Sequence, residues 1–469
     1  MRILIPFRYL AFLLLLLTTC KSEQLEEYDL VLTAAEVIDL ESGEINTRNV
    51  FISDGLIKRV LPVGSSVRYR TQNSIPANGK YLLPGFWDNH VHFRGGEALI
   101  EQNKAFLKLF LANGITTVRD AGGDLTTYIK QWQKEIANGM PGPKIFTSGP
   151  KIDGPGATWA GSLEVTEDED IPVALDSLES LGVDFVKLYD SRISARHYLE
   201  TLRQTEEREL ISSGHMPFSV SLQETVEAGI DAIEHLYYVM KGCSSTETRI
   251  TQAVIDGNMG FWQAMPELQQ TYTDSIAYQT FTMLREKQVY VVPTLHIGRT
   301  LSYLDEADHS EDPYLHYLSP EFLETYKRRI SSFLSGTDQA RKNRKELDDF
   351  FRQLTTELHN AGVGLLAGSD CGAYNSYIYP GPSLHDELQA LVSCGLSELE
   401  ALRTSAYNGA HFLKKQTEYG TVSPGKKADL VILSANPLDN IQNTRKIEAV
   451  VREGKIYLQE DLKTLLEPN

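Results

Sequence analysis

The chain has 469 residues, 42% of them hydrophobic and 23% charged, with a formal net charge of −18. That length admits a large barrel with an additional module. The acidic balance excludes the basic footprint that nucleic-acid binding requires and suits a soluble enzyme.

The first twenty residues, MRILIPFRYLAFLLLLLTTC, are set apart from the fold. Arg2 and Arg8 give a positive start, and the apolar run Tyr9–Leu17 is too short to span a bilayer comfortably. The segment reads as an export signal over 1–19. Its end, LTTC, resembles a bacterial lipobox, with Thr19 where Gly, Ala or Ser is usual. That resemblance implies lipidation of Cys20, a polar tether over 20–27, and a lipid-anchored protein of the bacterial periplasm or cell surface. Cys243, Cys371 and Cys394 are the remaining cysteines and make no disulfide framework.

Residues 28–83 alternate apolar and polar positions around turns such as Ser53-Asp54-Gly55, which predicts hairpins. Residues 416–469 repeat the pattern in "ADLVIL" and "KIEAVVREGKIYL". Together the two ends predict one small β-sandwich domain. Between them, 84–415 alternates short apolar runs with helical stretches. Candidate strands fall at 82–92, 114–121, 143–149, 183–190, 210–216, 231–238, 289–295 and 362–370. This α/β pattern predicts a (β/α)8 TIM-like barrel. Residues 239–288 and 296–361 are long connections on the expected catalytic side, and are candidates for a lid or pocket wall.

Polar residues at the C-terminal ends of barrel strands converge on one site. In chain order these are His90 and His92 in "DNHVHF", Lys187 in "FVKLYD", His215 in "SGHMP", His235 in "AIEHL" and Asp370 in "GSD". Two residues i and i+2 on a strand share a face, so His90 and His92 aim together. Four imidazoles and a carboxylate suit Zn²⁺ or a similar divalent ion. A buried lysine loses its proton readily. The neutral Lys187 amine can then add carbon dioxide, and the resulting carbamate has two oxygens with which to bridge two cations.

The order H-x-H, Lys, His, His, Asp resembles the metal-dependent amidohydrolase superfamily. Supporting pieces are "LLPGFWDNHVHF", "GITTVRDAGG", "GHMPFSVSLQETVEAGIDAIEHL" and "GKKADLVIL". They look most like the imidazolonepropionase-related branch that includes Xaa-Pro dipeptidases. The resemblance implies that His90 and His92 hold one metal with Asp370, and that His215 and His235 hold the other. It also implies that Lys187, as a carboxylysine, bridges them, and that Asp370 moves the proton from the attacking hydroxide to the leaving amine. Dipeptidases of this branch carry a Gly-Gly-His element after the third strand. The corresponding stretch here, TSGPKIDGPGATWAGSLEV at 147–165, has no histidine. This departure bears on the dipeptidase assignment, which stays one possible specificity, and leaves metal-assisted hydrolysis intact.

Substrate contacts are sought around this set. His296, after "VVPTL", is a candidate for touching substrate or steadying an oxyanion. Tyr189 and Tyr237 each follow a metal-ligand candidate by two residues, and are candidates for donating a hydroxyl. Arg94 is a candidate for gripping a substrate carboxylate. Arg119, followed by Asp120, reads as an internal ion pair. Cys371 reads as a small filler, and His385 and Glu387 as structural.

The expected function is hydrolysis of an amide C–N bond in a peptide-like or N-acyl amino-acid substrate. The alternatives are a mononuclear imidazolone or cyclic-amide hydrolase or deaminase, and then a lactone or phosphotriester hydrolase. A ligand-binding lipoprotein without catalysis would not need the full ligand set. The partner is a small molecule, and a membrane enters only through the lipid anchor. The sequence is silent on oligomeric state.

Overall fold

A computed structural model describes residues 25–467. The export signal, Cys20 and most of the tether lie outside the described residues. Among the described residues no helix is long and apolar enough to cross a membrane.

Both chain ends build one sheet. The strand Glu26–Ile38 starts inside the expected tether and pairs antiparallel with Ile45–Ser53. Along its other edge it runs parallel first to Tyr69–Pro76 and then to Tyr81–Pro84. Leu430–Leu433 from the C-terminal piece pairs antiparallel with Tyr81–Pro84, so the two ends of the chain share a ladder. Strand alternation sends Leu30, Leu32, Val50 and Ile52 into one buried cluster, and Val31 and Phe51 into another with Tyr28. Both faces of the sheet are therefore apolar where they are covered. The closing helix Gln459–Leu466 sets Leu462 against Leu111 of the barrel helix Ile100–Ala112.

The barrel uses seven regular parallel strands: Phe86–Val91, Ile115–Asp120, Lys144–Thr147, Val186–Leu188, Ser212–Gly214, Ala232–Glu234 and Tyr290–Val292. The eighth position, expected as a strand over 362–370, is an extended segment with only single bridges, Leu365 to Val291 and Cys371 to Val91. Its backbone still closes the ring. Leu366 N–H donates to Val291 O at 3.0 Å, and Asp370 N–H donates to His90 O at 2.7 Å. The segment runs that close because residue 368 is glycine. A Cβ there would lie 2.5 Å from His90 Cβ.

A buried apolar cluster draws Trp87, Phe146, Phe185, Val292 and Leu366 from different barrel strands or their flanks and packs them with Phe412 and Tyr419. The second strand contributes an arginine to this neighbourhood. The Arg119 guanidinium carbon lies 5.0 Å from the ring centres of both Phe185 and Phe412.

The two long connections are helical. The first holds Tyr237–Gly242, Glu247–Ile255, Phe261–Gln270 and Asp274–Glu286. The second holds Leu295–Ser302, Pro320–Leu334 and Asp338–Asn360. Pro320 follows the N-cap Ser319, whose hydroxyl accepts from Phe322 N–H. Thr337 caps the last helix in the same way, through Ala340 N–H.

Candidate metal centre and active site

Four histidines meet at the C-terminal mouth of the barrel, each with one ring nitrogen already engaged. His92 Nδ1 lies 2.8 Å from Gly122 O, and His235 Nδ1 lies 2.7 Å from Thr294 Oγ1. His215 Nδ1 is 3.1 Å from Asp190, and His90 Nδ1 is 2.6 Å from Glu234. A carbonyl or carboxylate partner, or the Thr294 hydroxyl whose own hydrogen goes to Pro293 O, favours the proton on Nδ1 and leaves the Nε2 lone pair free. Those lone pairs converge. His90 Nε2 and His92 Nε2 are 3.2 Å apart. Asp370 Oδ1 is 3.2 Å from His92 Nε2 and 3.6 Å from His90 Nε2, and Oδ2 is 3.9 Å from His235 Nε2. Two imidazole lone pairs facing each other beside a carboxylate repel unless a cation lies between them. Burial holds His90, His92 and His235 below the ordinary imidazole range, in the neutral form that ligates metal. His90, His235 and Asp370 by themselves bring three ligand atoms within 4.8 Å of one another. The donor set fits a divalent cation.

The backbone is bent to achieve this. His235, Thr294 and Asp370 have φ of 64°, 51° and 58°, a left-handed conformation uncommon for residues other than glycine. Three such residues at the ends of three adjacent barrel strands are an instance of strain stored where a site needs it.

Under the histidines lies a residue that the sequence reading passes over. Glu234 is fully buried, accepts from Arg119 and Ser213, and lies against His90 Nδ1 without an aligned hydrogen bond. Its Oε1 is also 3.3 Å from Lys187 Nζ. Burial alone would raise the Glu234 carboxyl, but Arg119, Lys187 and His90 together hold it well below the usual range. Arg119 does form an internal ion pair, but with Glu234 at 2.9 Å rather than with its neighbour Asp120. Asp120 instead accepts from Thr147 Oγ1 and Phe93 N–H. Lys187 has no well-aligned hydrogen-bond partner, and burial lowers its ammonium to about 8. An amine that is easily deprotonated and poorly satisfied is one that can be carbamylated.

The Amidohydrolase family profile matches residues 81–457. The chain belongs to the amidohydrolase family. Among solved structures this amidohydrolase is similar to a bottromycin amidohydrolase, with a TM-score of 0.72 and 21% identity, covering 93% of this chain and 88% of that one. It is also similar to a putative prolidase from Bifidobacterium longum, with a TM-score of 0.67 and 21% identity, covering 94% and 98%. At these identities the likeness establishes the fold. An adenine deaminase of Desulfitobacterium hafniense (strain Y51) is 30% identical over 209 residues, 43% of this chain and 34% of that protein. The chain thus spans about a third of the length of that curated relative.

Above the ligands this amidohydrolase holds a cavity of about 700 Å³. His92, Lys187, His215, His235 and Asp370 form its floor. Both helical connections reach it: Phe261 and Trp262 come from the first, Arg329, Phe333 and Phe351 from the second. They are pocket wall. The stretch that lacks the expected histidine supplies Lys151 and Trp159 instead. Lys151 is buried and donates to Gly122 O at 2.9 Å, the same carbonyl that orients His92. Nothing in spacing marks Lys151 or Trp159. Their only signal is a charged and a large aromatic residue within a loop after a barrel strand.

The candidate substrate contacts divide. Arg94 lines the cavity, with its guanidinium 4.0 Å from the Trp159 ring centre and Nε donating to Ala373 O. Tyr189 lines it too, its ring 4.4 Å from that of His215. Tyr237 reaches the cavity by a different route from the one expected. The strand stops at Glu234, and Tyr237 opens a helix, packing on Phe261 and Phe351.

His296 is misplaced by the sequence reading. The helix Leu295–Ser302 begins directly after Thr294 and turns His296 toward Asp386, 3.8 Å away, while Ile297 and Gly298 face the cavity. Its backbone N–H is held by Glu387. His296→Ala is therefore expected to leave kcat/KM within about twofold of the unmodified protein, as steady-state kinetics would show. Cys371 is buried with its thiol pushed up, and His385 bonds Thr444 and Asn113 O, away from the ligands.

Proposed function

We propose that this amidohydrolase cleaves an amide C–N bond of a peptide-like or N-acyl amino-acid substrate at a binuclear centre. His90 and His92 would hold one divalent ion and His215 and His235 the other, with Asp370 on the first and a carboxylated Lys187 between them. The observation that carries this reading is the convergence of the His90, His92 and His235 Nε2 atoms on Asp370, with Nδ1 of each ring lying against a partner behind it. Bound there, divalent ions such as Zn²⁺ supply Lewis acidity and an activated water.

The chain's own residues do the rest. Asp370 Oδ1 accepts from Asn375 Nδ2 at 2.8 Å, which holds the carboxylate in place at the cavity floor. The attacking water forms a bond to the carbonyl carbon and gives its proton to Asp370. The C–N bond then breaks, and Asp370 passes that proton to the departing nitrogen. Arg94 puts positive charge on the wall beside His92, where an amide oxygen gains negative charge, and Lys151, whose ammonium burial and the neighbouring Arg94 disfavour, adds a hydrogen-bond donor there. Trp159, Tyr237 and Phe261 cover the floor and limit water.

The test is a screen of zinc-reconstituted protein against a library of dipeptides and N-acyl amino acids. Cleavage of members sharing one kind of leaving residue is expected. Flat inactivity across amides, with turnover of lactones or phosphotriesters, would overturn the amide assignment.

A further inference from the structure

The cavity is far more basic than the protein that encloses it. The chain carries a net charge of −18, yet Arg94, Arg328, Arg329 and Arg344 all line this one space. The acidic side chains on the same walls are already engaged. Asp370 belongs to the ligand set, Asp348 pairs with Arg299 at 3.1 Å, and Asp124 accepts from Gly95 N–H.

The arginines are not matched in this way. Among the described residues no carboxylate pairs with Arg344, and another cation, Arg329, lies near enough to disfavour its charge. Its guanidinium instead stands 4.7 Å from the Trp262 ring centre and 5.5 Å from that of Phe333. Aromatic faces orient a guanidinium and leave its charge and most of its donors unspent. Burial lowers Arg94 to about 10, and Arg329 adds to the positive field around it. Two like charges brought together by separate helices are unfavourable unless an anion joins them.

Arg329 lies on the helix Pro320–Leu334 and Arg344 on Asp338–Asn360. Both helices belong to the connection after the seventh barrel strand; they line the cavity and contribute none of the candidate metal ligands. An arginine fork pairs well with a carboxylate or another oxyanion.

We propose that Arg329 and Arg344 form an oxyanion-binding roof that selects amides bearing a carboxylate on the part of the substrate remote from the scissile bond, with Trp262, Phe333 and Tyr237 packing the apolar portion between. This rests on the amide-hydrolase reading and narrows it to a substrate class.

The experiment uses the zinc-reconstituted full chain and matched amides that differ only at the remote end: a carboxylate, its neutral carboxamide and its phosphonate. The carboxylate is expected to exceed the carboxamide in kcat/KM by about 10–100-fold, mostly through KM. In the R329Q/R344Q double variant that advantage should vanish, and in R329K/R344K part of it should return. Calorimetric binding of the same compounds is measured in parallel, because it reads the roof even when no amide is turned over. Absence of turnover with the binding preference intact would sink the hydrolase reading and keep the anion site. Equal handling of carboxylate and carboxamide would overturn the proposal. So would a preference that survives in R329Q/R344Q, since the floor and not the roof would then be reading the charge. A phosphonate preferred over the carboxylate would keep the oxyanion roof and overturn the carboxylate as its favoured group.

Discussion

Glu234→Ala is expected to lower the free energy of unfolding by about 3–5 kcal/mol, measured by denaturant titration. The side chain is fully buried, and its carboxylate holds Arg119, Lys187 and His90 at once. Truncation leaves the Arg119 guanidinium without a counter-charge in a place water does not reach, and this costs far more than the lost contacts themselves. Glu234→Gln separates the structural effect from the chemical one. It keeps the shape and one acceptor oxygen but removes the charge that steadies the His90 ring from behind. Metal affinity is expected to fall by about 10–100-fold in that variant, the range for removing the outer partner of a ligating histidine. A Gln variant with unaltered metal affinity would show that the 2.6 Å contact to His90 has no bearing on the site.

Asp370→Asn is expected to reduce kcat by about 10²–10⁴-fold while the protein stays folded. The amide cannot take up the proton that the carboxylate moves, and it offers a weaker ligand oxygen to the His90 and His92 side of the cluster. The left-handed backbone at this position suits asparagine as well as aspartate, so no added strain accompanies the change. Circular dichroism of the variant should match the unmodified protein, and a loss of activity with intact spectra separates chemistry from folding. A variant retaining full kcat would remove Asp370 from proton transfer.

Much of the centre could be read from sequence because a barrel converts position along a strand into position in space. His90, His92, Lys187, His215, His235 and Asp370 are visible as polar residues at the ends of apolar runs; all but His90 line one cavity, and His90 lies buried against His92 and Asp370. Glu234 escapes for a physical reason. Strand alternation assigns residues 234 and 235 to opposite faces, so choosing His235 as inward-facing dismisses its neighbour. The left-handed φ of His235 breaks that alternation, and both side chains reach the site. The one available signal was a glutamate inside the apolar stretch "DAIEHL", which is costly unless it is paired. His296 fails in the opposite way. Its position after "VVPTL" looks like a strand end, but Thr294 turns the chain and starts a helix that carries the imidazole away. The eighth strand reads as regular from its apolar pattern. Gly364, Gly368 and Gly372 let it pack too close to its neighbours for more than isolated bridges. The arginines of the roof lie on surface-patterned helices, where sequence alone cannot separate a solvated face from a pocket wall.

The most direct measurement is the metal content of the full chain by mass spectrometry as metal-free protein is titrated with Zn²⁺, read beside amide turnover. Turnover that is absent without metal, rises with binding and reaches its plateau at two equivalents is expected, with Lys187→Ala retaining fewer than two. Full turnover by metal-free protein, or a plateau at one equivalent with Lys187→Ala fully active, would contradict the binuclear centre.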